Sequence, residues 1–360
     1  MSFFESRLKY FIKNKLNIDE KKLNCIPFDK HFPQLSNYVP GLIKGTYYAI
    51  TAFSNVGKTP LTKYMFLNIP YEYYKNNVGK PNAIKLKIIY FCLEESKAQF
   101  YDSIILSKLH EIYNIDIDFH TLNSYISSKQ ISVDTLNKIK QLEPIIKDME
   151  NCIEIISHID TPTGIHNYIL NYAANNGNFY LGNTLTTKDS DWDNYKPIES
   201  NEFVIIVTDH INSLATEPGC NYLSESMHRH STDYMTKIVV NKLNYIVCDV
   251  HQQALEGENA TYAKHNENET SIATLGDNKR IVRNYHVLFG LNMPSRYGTS
   301  ITKDGYDLRK FKNSLNFRTL LIHKNRFGPP NIRKSFWFNP TASKFTELPN
   351  HTQINYVFFT

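Results

Sequence analysis

Cysteine is sparse and unorganised. The five, Cys25, Cys92, Cys152, Cys220 and Cys248, are scattered, odd in number and never in CxxC spacing. Neither a disulfide framework nor a zinc site follows from such a set, and a reducing compartment, the cytoplasm, suits it. Also missing is any uninterrupted apolar stretch of membrane-spanning length, and the first twenty residues are broken by Glu5, Arg7, Lys9 and Lys13. The chain is therefore expected to be neither exported nor membrane-inserted. Charge of one sign is not in great excess: a net +5 permits nucleic-acid binding without demanding it. What is present, 360 residues with 41% hydrophobic content, suffices for one large domain with appendages or at most two domains. Heavy use of Asn, Ile, Lys and Tyr is as consistent with an A+T-rich genome as with any physical need.

Residues 52 to 59 read Ala-Phe-Ser-Asn-Val-Gly-Lys-Thr, a phosphate-binding P-loop with Ala where the first Gly is usual. Four intervening residues let successive backbone N–H groups, from Ser54, Asn55 and Val56 onward, curl around a polyphosphate. Gly57 then permits close backbone approach, Lys58 reaches the β- and γ-phosphates, and the Thr59 hydroxyl can ligate Mg²⁺. The β-rich run Tyr47 to Thr51 precedes the loop, and a helix beginning near Pro60 follows, its N-terminus adding partial positive charge. A chance Gly-Lys-Thr in an ordinary loop would lack this strand-loop-helix context.

Along the chain, Phe4, Leu8, Phe11, Ile12 and Leu16 share one face of a short N-terminal amphipathic helix, and the Pro- and Gly-containing stretch 25 to 45 is expected to be a connector. Residues 1–29 are assigned to that helix and connector, 30–350 to the ATPase domain and 351–360 to a C-terminal tail. An apolar run, Ile88 to Leu93, ends at Glu94-Glu95-Ser96. Residues 97 to 150 are expected to be mainly helical, with Leu106, Leu109, Leu136, Ile139, Leu142 and Ile146 in the core. A strand from Cys152 to Ile156 leads into a helix at about 165 to 174, and the polar stretch 175 to 201 is expected to be a surface excursion. The buried run Phe203 to Val207 ends in Asp209, the form of a Walker B element, which delivers a carboxylate to the Mg²⁺ region; an Asp that merely caps the next turn is the alternative. Further strands lie at Tyr245 to Val250, before Gln252, and at Val287 to Leu291 and Thr319 to His323. Strands alternating with helices predict an α/β fold with a mostly parallel sheet covered on both faces.

With these pieces in order, the chain resembles the ATPase domain of DnaB-type replicative helicases, of the RecA-like group of ring-forming motors, over about residues 35 to 348. Val39-Pro40-Gly41-Leu42-Ile43-Lys44-Gly45 is similar to the family's approach to the P-loop. Tyr90 to Ser96 is similar to the strand whose ending supplies the catalytic glutamate, which maps to Glu94. Val207-Thr208-Asp209-His210-Ile211 is similar to the Walker B segment, with His210 where Tyr is usual. Gln252 falls at the sensor glutamine. His323-Lys324-Asn325-Arg326-Phe327-Gly328-Pro329 is similar to the Lys-x-Arg-x-Gly segment that projects into a neighbouring subunit's ATP site, and Leu275 to Arg280 follows the family only loosely. Too few residues precede the P-loop for the separate N-terminal domain of bacterial replicative helicases, and the compact form is similar to phage-encoded relatives, which would place it in the host cytoplasm.

The resemblance implies ATP and Mg²⁺ as cofactors, a RecA-like P-loop core and a homo-hexamer acting on single-stranded DNA, with replication proteins as candidate partners and no membrane. It assigns Lys58 and residues Ser54 to Pro60 to the nucleotide, Thr59 and Asp209 to Mg²⁺, Glu94 to polarising water, Gln252 to sensing the γ-phosphate, and Lys324 and Arg326 to action in trans. A first-turn helix acid would equally explain Glu94. For DNA, residues 254 to 274 form a polar loop, and Arg296, Lys303, Arg309, Lys310 and Lys312 are interleaved with Tyr297, Tyr306 and Phe311, which could stack bases; composition alone equally allows a solvated charged hairpin. His228-Arg229-His230 has no partners at metal-ligand spacing and is expected at solvent or an intersubunit surface. A RecA- or RadA-like recombinase and a regulatory nucleotide-binding module are the competing functions.

Overall fold

The computed structural model describes residues 24–258 (Leu255 as backbone only), 268–276 and 278–359, together with residues 4, 5, 7–9, 11, 12 and 15. Those N-terminal residues are helical, and Phe4, Leu8, Phe11 and Ile12 are exposed. Leu16, Asp277 and residues 259–267 of the polar loop lie outside the described residues.

The strands are β1 (Cys25–Pro27), β2 (Gly41–Ile43), β3 (Tyr47–Ala52), β4 (Lys85–Cys92), β5 (Ile153–Ile156), β6 (Gly177–Leu181), β7 (Thr184–Thr186), β8 (Asn194–Pro197), β9 (Glu202–Asp209), β10 (Ile246–Gln252), β11 (Val287–Asn292), β12 (Phe317–Asn325), β13 (Ile332–Asn339) and β14 (Lys344–Glu347). Nine of them form the central sheet in the order β14-β13-β12-β11-β3-β10-β9-β4-β5. From β11 to β5 every pairing is parallel, whereas β12, β13 and β14 add on antiparallel. The period-2 alternation of the parallel strands assigns their side chains to two cores. On β3, Tyr48, Ile50 and Ala52 enter one and Tyr47 and Ala49 the other; on β9, Phe203, Ile205 and Val207 oppose Val204 and Ile206.

Helices cover both faces. On the first lie α1 (Lys58–Lys63), a π-helical turn Tyr64–Asn68, α2 (Ile69–Asn77) and α3 (Lys97–Tyr113), contributing Leu61, Met65, Phe66 and Phe100. Pro70, at the start of α2, has no N–H to continue the ordinary ladder, and the turn before it widens so that Ile69 N–H bonds Tyr64 O. On the second face lie a helix at Pro162–Asn176, with Ile165, Ile169 and Ala173, and the helical stretch Leu223–Val240, π-helical from Arg229, with Met227, Met235 and Val239. Among the described residues no helix is long and apolar enough to cross a membrane.

Several expectations need correction. The polar stretch 175 to 201 is not a loose excursion but carries the three-stranded antiparallel sheet β7-β6-β8, held because Phe179, Trp192 and Tyr195 pack together into the second core. The connector at 25 to 45 is folded, with β1 paired to β2 and Ile26 and Phe28 fully buried. Leu136 is exposed rather than in the core, and Cys152 ends a helix, the strand beginning at Ile153. Strand β12, expected from the sequence at the edge of the sheet, lies inside it, with β13 and β14 continuing beyond. His230 does not face solvent but is wholly buried, its Nε2 3.2 Å from Asp249 Oδ1, while Asp249 Oδ2 accepts from Tyr47 Oη at 2.5 Å.

Candidate nucleotide-binding site

Strand β3 lies between β10 and β11 and releases the P-loop at the C-terminal end of the parallel strands. Two loop residues have left-handed backbones, Asn55 at φ +61° and Gly57 at φ +106°. A Cβ on Gly57 would make only ordinary contact with the Phe338 ring at 3.5 Å, so backbone conformation rather than space requires glycine there. Lys58, buried, donates from Nζ to Gln252 Oε1 at 3.4 Å, and the Gln252 amide donates to Ser54 Oγ at 2.6 Å. Gln252 N–H donates to Asn212 Oδ1 at 2.8 Å. The glutamine thus rests on the loop itself.

Asp209 ends β9 nearly buried. Its Oδ2 accepts from Tyr90 Oη at 2.6 Å, while Oδ1 is buried without a partner. Burial, with the adjacent carboxylate, holds the Tyr90 phenol well above its ordinary pKa, so it remains a donor. An orphaned carboxylate oxygen on a residue that lines the same cleft as Thr59 suits a hydrated Mg²⁺, so the residues present fit that ion. The Asp209–His210 peptide is cis.

The two glutamates after β4 differ. Glu95 is ion-paired with Lys63 of α1, whose Nζ also donates to Ser103 Oγ at 2.9 Å and sits 4.0 Å from the Phe100 ring centroid. Glu94 is 54% exposed in its side chain and touches His210 Nε2 at 3.2 Å. Burial lowers the His210 pKa, favouring a neutral ring beside Glu94. Glu94 itself lines the cleft. That cleft, about 550 Å³, is lined by Asn55, Gly57, Lys58, Thr59 and Pro60, by Glu94 and Asp209, and by Phe338 near the end of β13 with Pro340 and Ser343 of the turn that leads to β14. Sequence reasoning missed this last wall, which carries no motif and lies far from the P-loop in sequence.

Two guanidinium groups also hold the loop: Arg296, expected above at DNA, and Arg318, which no motif singles out. Arg296 donates from Nη1 to Ser54 O at 2.6 Å and pairs through Nη2 with Glu258 Oε1 at 3.1 Å. Arg318 of β12, buried, donates from Nε to Val56 O at 2.6 Å and from Nη1 to the carbonyls of Leu315 and Phe317, and its guanidinium lies over the Phe338 ring. Burial lowers its pKa to about 10.

The remaining candidates lie elsewhere. Because β12 runs antiparallel, Asn325 pairs with Val287, which pairs with Tyr48 at the start of β3. Arg326 and Lys324 thus sit at the opposite end of the sheet from the P-loop, at least four strand residues or about 13 Å away. Arg326 Nη2 donates to Arg283 O at 2.9 Å, and Lys324 Nζ to Val282 O at 2.8 Å and Arg283 O at 2.9 Å. Burial, helped by Arg326, lowers Lys324 to about 8, and burial with both cations lowers His286 to about 4. Of the DNA candidates, Arg309 is forked onto Asp307, Lys303 pairs with Glu269, Lys310 lies over Tyr356 and Lys312 is exposed. Tyr306 and Phe311 cannot stack bases as expected, because both are buried in a third core with Leu308, Phe317 and Leu348.

No family model matches this chain, and neither does any curated protein. Solved structures do. The ATPase domain of G40P superposes with a TM-score of 0.67 at 14% identity, covering 97% of this chain and 99% of that one. A DnaB-like replicative helicase, solved in a study of its interactions with primase, gives 0.65 at 15% identity, covering 94% of this chain and 67% of that one. At such identity the likeness is one of architecture, and the chain has the RecA-like P-loop fold of these helicase domains.

Proposed function

We propose that this protein is an ATP-dependent DNA helicase of the DnaB type, assembling as a homo-hexameric ring on single-stranded DNA, with replication proteins as further partners. The observation that carries the nucleotide chemistry is the convergence of Lys58, Thr59, the unpartnered Asp209 Oδ1 and Glu94 in one cleft. Ser54 to Pro60 hold the phosphates, and Thr59 and Asp209 hold Mg²⁺, which neutralises phosphate charge when bound. Glu94 accepts the proton of the attacking water, with His210 orienting its carboxylate. Gln252, resting on Ser54 and Lys58, responds to the γ-phosphate and passes its state to the segment that follows it. Lys324 and Arg326, too distant to serve their own loop, serve a neighbour's.

The fold shared with two helicase domains supports unwinding over the other uses of a P-loop. The test is ATP turnover with and without single-stranded DNA, joined to particle images with a non-hydrolysable analogue. DNA-stimulated turnover and closed rings support a helicase. A helical filament identifies a recombinase, and turnover indifferent to DNA identifies a nucleotide-binding regulator.

A further inference from the structure

The P-loop is gripped from outside by two arginines in unlike electrostatic circumstances. Arg296, on Ser54 O, is partly exposed and balanced by Glu258, which also accepts from Tyr297 Oη at 2.5 Å. Arg318, on Val56 O, is 5% exposed and has no carboxylate within ion-pair distance among the described residues; carbonyls of Val56, Leu315 and Phe317 and the face of Phe338, 5.1 Å from its carbon, are what surround it. A buried cation without a counter-charge is costly, and carbonyl dipoles with one aromatic face offset only part of that cost. The peptide it grips is also informative. The carbonyl of Val56 shares its amide with the N–H of Gly57, and a cation on the oxygen polarises the group so that the N–H becomes a stronger donor on the opposite side. That opposite side is the phosphate side of the loop.

We infer that Arg318 is a positioning residue for the polyphosphate: it fixes the Val56–Gly57 peptide with its N–H directed inward, and its charge is balanced only when phosphate occupies the loop. This rests on the nucleotide-site reading above. The isolated positive charge is then a standing preference for multiply charged anions, exerted through the loop rather than by touching the ligand. Arg296, already neutralised, secures loop shape and contributes little of that preference.

The experiment measures affinity for AMP, ADP and inorganic pyrophosphate in the wild-type protein and in R318M, R318K and R296M, together with melting temperature without ligand. R318M should lose about tenfold or more in ADP and pyrophosphate affinity, a smaller factor for AMP, and none of its unliganded melting temperature, since the variant removes an unmatched buried charge. R318K should recover part of the pyrophosphate affinity, and R296M should change AMP and ADP affinity by one common factor. Equal losses for AMP and ADP in R318M, or ADP affinity within about threefold of wild type, overturns the inference. Should R318M not fold, R318K decides: a loss that does not grow from AMP to ADP overturns it. Wild-type protein that binds none of the three ligands refutes instead the nucleotide site itself.

Discussion

The two ends of the central sheet carry opposite deficits. At the P-loop end, groups that could meet a metal or a water are left open: Asp209 Oδ1 has no partner and Glu94 is exposed. At the other end, the cations Lys324 and Arg326 are supported by backbone carbonyls of Val282 and Arg283, with no acid paired to either among the described residues. At one end the Asp209 oxygen Oδ1 has no partner; at the other two cations have no acid paired to them among the described residues. Both deficits close at once if the second end of one chain meets the first end of another, and the antiparallel run of β12 is what separates them within a chain.

The sharpest way to break this comparison is by mixing. Arg326→Ala should bind ATP and lose roughly 10³-fold or more in turnover, the scale of fingers supplied by a neighbour. Lys58→Ala should be as inactive, and the two mixed should regain part of the activity through hybrid interfaces. Mixed oligomers that form yet stay inactive would remove the trans assignment. Next, Glu94→Gln should bind ATP normally and turn over about 10²- to 10⁴-fold more slowly, whereas Glu95→Gln should chiefly lower melting temperature by freeing Lys63. The reverse result would shift the register by one. Acid stability probes the cationic end through His286. It and two buried histidines elsewhere, His166 and His323, are held near 4, against an ordinary 6.5, by burial first. Their contribution is complete above about 6.5 and lost as pH falls towards 4, because the unfolded chain binds protons first. Melting temperature should fall through that window, and Arg326→Met, which removes a second cause of the His286 shift, should flatten the slope. The smallest effect is expected at the DNA candidates. Neutralising Arg309, Lys310 and Lys312 should reduce the salt slope of single-strand binding by roughly 0.7 for each phosphate no longer neutralised, with Arg309 contributing least because Asp307 already holds it.

How legible the sequence is depends on whether a feature is local. The P-loop, the apolar run Phe203 to Val207 of β9 and the strand before Glu94 are contiguous, so composition and spacing expose them. The Phe338 wall and the loop contacts of both arginines are not, because Phe338 and Arg318 lie on β13 and β12 and Arg296 in the helical turn after β11, all far from residues 52 to 59 in sequence. His230 was misplaced because its polar partner, Asp249, sits on a strand that reads as wholly apolar around it. The small sheet at 177 to 197 was missed because its strands are only three to five residues long and lie in a stretch rich in Asn, Asp, Thr and Gly.

The central position of β3 carries a consequence for synthesis of the chain. Its neighbours β10 and β11 lie roughly two hundred residues downstream, so when Tyr47–Ala52 leaves the ribosome neither flank exists. Six consecutive buried residues, two open backbone edges and an unsupported loop must wait for both flanks to be made. A nascent chain stopped before β10 presents that strand to chaperones or to other nascent copies, and nucleotide can favour folding only once both flanks are in place. Truncations that remove β10 or β11 should therefore appear as loss of the whole fold rather than as loss of one activity.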